Sequence, residues 1–161
     1  MRLEKLLWVF PIALTLHNLE EGVWLPAWSQ HAGFWELPVG PTEFRIAAVL
    51  LAILAYALTY WSIRTGKEAV GTYMMAGFVF AMLLNVIYHV AATLGLRKYA
   101  PGVVTAVLIN LPVMWYLLWR VFQERWVTWP KALLAFITIP LAILLLIPVL
   151  FRVGRLVSRF P

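Results

Sequence analysis

The chain has 161 residues, of which 63% are hydrophobic and only 12% charged, and its net charge is +6. A soluble domain is roughly half apolar and about a quarter charged, so this chain lacks the polar surface to wrap a water-soluble core, and a single integral membrane domain is expected over residues 1–161. Cysteine is absent, which excludes disulfide and thiolate chemistry, and the basic residues lie between and after apolar runs, where Lys and Arg meet lipid headgroups rather than nucleic acid.

The first span is expected over residues 6–24, about 19 residues and just enough to cross at ~1.5 Å per residue. Arg2 and Lys5 precede it as in a signal peptide. The apolar run ends in His17-Asn18-Leu19-Glu20-Glu21 rather than a small-residue cleavage site, so the segment reads as retained. Pro11 is expected to kink it. Residues 25–43 hold Pro26, Trp28, Trp35, Pro38, Gly40 and Pro41 and read as a broken connection at headgroup level, long enough to fold back as a lid. A second span is expected over 44–63, closed by Tyr60-Trp61, and a third over 70–94, carrying Asn85, Tyr88, His89 and Thr93. The fourth, 101–122, starts on Pro101, carries Thr105 and Asn110 and is kinked at Pro112. The fifth, 131–151, is interrupted by Pro140 and Pro148. In the tail, 152–160, Arg152, Arg155 and Arg159 share one helical face, opposite Val153, Leu156, Val157 and Phe160, as in an interfacial helix. The expected fold is an all-α integral membrane bundle of about five transmembrane helices.

With the N-terminus on side A, that side carries Arg2, Lys5, Arg64, Lys67, Arg120, Arg125 and Lys131. Side B carries Arg45, Arg97, Lys98 and the tail arginines. The excess of basic residues places the N-terminus in the cytoplasm.

Charge inside a membrane is costly and marks function by default. All seven acidic residues are glutamates, and two of them sit in the first span. His17, Glu20 and Glu21 are at i, i+3 and i+4, on one helical face; Asn85, His89 and Thr93 are at i, i+4 and i+8, on another. Counting ~1.5 Å per residue from each span start brings both faces to similar depth in the side-B half, with Asn110 entering from side B to nearly the same level. Imidazole and carboxylate are ligands for zinc, iron or manganese. His17, Glu20, Glu21 and His89 are therefore the expected metal ligands, and zinc the expected ion. Glu20 or Glu21 would remain as a general base, with Asn85 or Tyr88 orienting substrate. Without a metal, the same groups read as an imidazolium–carboxylate pair that locks the bundle. His31 reads as a solvated loop residue.

These stretches resemble the HXXEE-domain family of small multi-pass membrane proteins over residues 6–112. The resemblance rests on His17-Asn18-Leu19-Glu20-Glu21 followed by Trp24-Leu25-Pro26-Ala27-Trp28. It rests also on Asn85, His89 and Thr93 followed by Arg97-Lys98-Tyr99-Ala100-Pro101-Gly102-Val103-Val104-Thr105-Ala106. Leu25 stands where an aromatic residue is common. The resemblance implies a mainly prokaryotic membrane protein and makes the two polar faces belong together; it supplies no catalytic role.

The expected function is a multi-pass protein of the prokaryotic cell membrane with an intramembrane divalent-metal site, a hydrolase or isomerase acting on a lipid or other apolar small molecule that enters from the bilayer. The expected partners are membrane lipids, with no nucleic acid. Two alternatives stand beside it. One is a proton- or solute-conducting relay, which needs polar steps to both faces; the side-A halves of the first and third spans offer little beyond Thr15 and Thr72. The other is a structural subunit of a membrane complex.

Overall fold

Runs of Leu, Ala and Ile favour helix, and a backbone in lipid has to satisfy its hydrogen bonds internally. The computed structural model describes residues 2–157, and helices are the only regular elements among them. A short turn, α1 (Leu3–Leu6), leads into α2 (Val9–Ser29). The connection 30–40 carries a 3-10 turn at Gly33–Trp35. Then come α3 (Pro41–Thr65), α4 (Val70–Leu96), α5 (Val103–Gln123) and α6 (Trp129–Val157). Helices α3 to α6 are long and apolar enough to cross a membrane. Helix α2 has the length, 21 residues, and is interrupted in its middle by the polar cluster.

Helix α4 is the axis of the bundle, packed against α3, α5 and α6. Its most apolar stretch is 56% buried, whereas that of α6 is 6% buried, so α4 forms the core and α6 faces outward. Close packing of α6 depends on Gly77, where a Cβ would stand 2.8 Å from the Ala135 carbonyl and 2.7 Å from Ile139. The side-A half between α2, α4 and α5 is filled by Leu3, Leu7, Phe10, Leu14, Met75, Phe78, Met82, Met114, Leu117 and Val121. Phe10 and Phe78 meet edge to face at 5.2 Å. This is a close-packed apolar plug.

Two boundaries differ from the sequence reading. Helix α2 does not stop at Trp24 but continues through Pro26 to Ser29. A proline leaves the carbonyl four residues earlier without a partner; here Arg45 Nε donates to the Gly22 carbonyl at 3.2 Å and replaces the lost bond. Ser29 Oγ then donates to the Pro26 carbonyl at 2.9 Å and accepts from the Val39 amide at 3.2 Å, closing the base of the loop. At the other end, α6 runs unbroken through Pro140 and Pro148 to Val157. The expected tail helix is therefore, as far as Val157, its continuation. Gly154 lets it pack on the backbone of Glu43, and Arg155 pairs with the Glu43 carboxylate at 3.4 Å. Arg159 and Phe160, also assigned to that tail, lie outside the described residues.

Candidate metal centre

Helix α2 presents His17 and Glu21 one turn apart, and α4 presents His89 opposite them. Glu21 Oε1 lies 3.6 Å from His17 Nε2 and 3.2 Å from His89 Nε2. One ligand atom from each of the three residues lies within 4.8 Å of the others. The imidazole rings meet edge to face at 4.9 Å. Both histidines are 1% exposed and Glu21 9%.

The third wall is Gly102, which precedes α5 in a left-handed conformation, φ +93°. A Cβ there would stand 2.7 Å from His89 Cε1, 2.8 Å from His17 Cε1 and 3.1 Å from Glu21 Cγ. Glycine is required twice, for the backbone angle and for the space. The same contact fixes depth. Residue 102 lies at the level of the histidines, so Asn110, eight residues further along α5, lies roughly 10–12 Å deeper. Asn110 was expected at nearly the level of the two polar faces. The connection 97–102 dips into the bundle before α5 starts, and this carries Asn110 past that level. It ends a π turn, Ala106–Asn110, just ahead of Pro112, a local irregularity often found near functional sites.

Glu20 does not join the histidines. Its Oε1 accepts from the Tyr99 hydroxyl and from the amides of Gly102 at 3.1 Å and Val104 at 3.4 Å. Its Oε2 accepts from the Thr105 amide at 2.8 Å and the Thr105 hydroxyl at 2.6 Å. The carboxylate caps the free amides of α5, where the helix dipole also favours negative charge. Burial, then the bond to Glu20, pushes the Tyr99 phenol up to about 12.

Thr105 links the two glutamate roles. Its single hydroxyl proton goes to the Glu20 carboxylate, the shorter and charge-assisted bond. Its oxygen, 2.9 Å from His17 Nδ1, therefore accepts the Nδ1 proton of His17. That fixes the tautomer and leaves His17 Nε2 as a bare lone pair facing Glu21, the support that metal-binding histidines receive from outside the ligand shell.

Seven buried side-chain atoms among the described residues have no hydrogen-bond partner: His17 Nε2, Asn85 Oδ1, His89 Nδ1 and Nε2, Thr93 Oγ1, and both amide atoms of Asn110. All belong to the polar faces of α2, α4 and α5. Asn85 lies beside His17. The Tyr88 ring lies edge to face on His89 at 5.1 Å, and its hydroxyl reaches the loop, 2.5 Å from the Trp35 carbonyl and 3.0 Å from Glu36 Oε2. His31 is exposed.

Of the residues singled out in the sequence, the structure brings together His17, Glu21 and His89, sets Asn85 at their edge and draws Glu20 into the start of α5. Of the others that shape the site, Tyr99 and Gly102 stood in the stretch that carries the family resemblance but had no assigned role, and Glu36 carried no signal. Thr105 was visible as a polar position on its span and as part of the same stretch.

Residues 8–117 match the family described as "Protein of unknown function with HXXEE motif". The chain is 35% identical over 150 residues to a protein of Bacillus subtilis (strain 168) named "Uncharacterized protein YrkK", covering 92% of this chain and 95% of that one. No solved structure matches the chain.

Proposed function

The chain belongs to the HXXEE-motif family, and we propose that it is a prokaryotic cell-membrane protein whose His17, Glu21 and His89 hold one divalent cation, zinc being the ion that fits best. The reading rests on the unpaired imidazole nitrogens. A buried polar atom without a partner costs about 1–3 kcal/mol, and one ion would take up two of them, His17 Nε2 and His89 Nε2. His89 Nε2 stands 3.2 Å from a carboxylate oxygen without hydrogen-bond alignment. The nitrogen–oxygen separations of 3.2 and 3.6 Å lie near the roughly 3.3 Å edge of a tetrahedron with ~2.0–2.1 Å bonds, and the third separation, within 4.8 Å, would close as the imidazoles turn onto the ion. Two histidines and one glutamate are a set used in catalytic zinc sites, which keep a position open.

Such an ion would supply Lewis-acid polarisation of a carbonyl or ester oxygen. The chain's own groups supply the rest. Thr105 holds His17 in its ligating tautomer, Glu20 anchors the connection that closes over the site, and Asn85 Oδ1 and Thr93 Oγ1 remain to orient a polar group. With Glu20 committed to α5 and Glu21 to the ion, neither carboxylate of the pair is left as a general base. Apolar side chains dominate the region beneath Leu14, where the buried Asn110 amide is a polar step, and this favours a closed pocket over a conducting relay. The two side-A hydroxyls that a relay would use are occupied: Thr15 donates to Pro11 and Thr72 to Gly66. A lipid or other apolar molecule carrying a hydrolysable or isomerisable polar group is the substrate class proposed.

Cobalt(II) loading of detergent-solubilised protein tests the ligand set. Visible d–d absorption is expected in wild type and in Glu20→Gln and is expected to be lost in Glu21→Gln; an unchanged spectrum in Glu21→Gln would overturn the assignment.

A further inference from the structure

The connection 30–40 covers the side-B end of α4 and carries a carboxylate that the proposed ligand set does not use. The Trp35 ring lies on Gly95, where a Cβ would stand 2.6 Å from it. This seats the loop and brings Glu36 to Tyr88. The Tyr88 ring packs edge to face on His89 at 5.1 Å, so only one side chain separates Glu36 from the histidine. Glu36 lies within the electrostatic field of both Glu21 and His89.

Glu36 has hydrogen-bond donors but no cation beside it: the Tyr88 hydroxyl and the Leu37 amide reach it. No ion pair joins it to a cation among the described residues. Tyr88 has one hydroxyl proton for two acceptors, and the Trp35 carbonyl at 2.5 Å competes for it against Glu36 at 3.0 Å. Burial raises the Glu36 carboxyl above its usual range; the Tyr88 bond opposes this and the charge of Glu21 adds to it. A half-buried carboxylate without a counter-cation, one side chain away from His89, is placed as a step in a cation's path, because negative charge attracts cations most strongly where water is scarce.

We propose that Glu36 is the entry ligand through which a divalent cation passes from the side-B surface to His17, Glu21 and His89. The inference rests on the metal reading of that group. It assigns Glu36 a transient role: it receives the ion, and Tyr88 holds it and Trp35 in place so that the loop closes once the ion has moved inward.

The test is the rate of zinc uptake and of zinc extraction by a chelator, measured on full-length protein in detergent. Glu36→Gln is expected to slow both at least tenfold while keeping wild-type zinc content at equilibrium. Tyr88→Phe, which removes the hydroxyl that holds the loop, is expected to speed extraction. Wild-type rates in Glu36→Gln would overturn the entry role and leave the metal reading intact. Zinc content lost at equilibrium in Glu36→Gln would also overturn it, because Glu36 would then be a permanent ligand. No zinc uptake by the wild type would overturn the metal reading itself and this inference with it.

Discussion

Glu20 and Glu21 are adjacent in sequence, and their carboxylates serve different structures. Glu21 Oε1 stands 3.2 Å from His89 Nε2, whereas Glu20 is bound at the start of α5, its Oε2 2.8 Å from the Thr105 amide. Consecutive residues on a helix diverge by about 100°, enough to send one carboxylate inward to α4 and the other sideways to α5. The doubled glutamate of the motif is thus a ligand and a cap side by side.

Separate substitutions should separate these roles. Glu20→Ala is expected to destabilise the protein by about 2–4 kcal/mol, through the loss of several charge-assisted bonds, and to expose 97–105 to protease while ion binding weakens only secondarily. Glu21→Ala is expected to abolish ion binding and leave that segment protected. Limited proteolysis beside an ion-binding measurement reads both.

Gly102→Ala is expected to close the site. Its Cβ would meet both imidazoles within 2.8 Å, and the backbone at φ +93° disfavours any side chain by about 1 kcal/mol or more. Ion content should fall to background. Retention of the ion together with wild-type thermal stability would show that the connection does not close on the histidines as described.

Thr105→Val removes the acceptor of the His17 Nδ1 proton at nearly constant shape. Loss of such a supporting bond lowers metal affinity roughly 10–100-fold, and Thr105→Ser should restore it. Competition against a chelator of known affinity measures the change.

The Tyr99 phenol gives a pH signature. Its ordinary value is 10.0 and in the fold it is pushed up to about 12. Between these values the folded state holds a proton that the unfolded state has lost, so stability is retained below the lower one and falls as pH rises toward the upper one. Thermal unfolding of wild type should show that fall from about pH 10 to 12, and Tyr99→Phe should flatten it.

Much of this was legible in the residues. Helix period put His17 with Glu21, and Asn85 with His89, and a rise of ~1.5 Å per residue brought the two faces level. The division between Glu20 and Glu21 was not legible: at i+3 and i+4 from His17 they are equivalent until the start of α5 is known, and that start depends on how deeply 97–102 enters the bundle. Asn110 was misplaced in depth for the same reason. Pro26 read as a helix end because the donor that rescues it, Arg45, comes from another helix. Glu36 is an ordinary loop glutamate until Trp35 settles on Gly95.

The central claim is that His17, Glu21 and His89 hold a cation, and the most direct measurement is elemental analysis of gently purified protein, wild type beside His17→Ala and His89→Ala. The account predicts close to one divalent ion per chain in wild type, with zinc foremost, and loss of that ion in both variants. A wild type without bound metal, or a metal content that neither substitution changes, would contradict it and return the cluster to a buried imidazole–carboxylate lock.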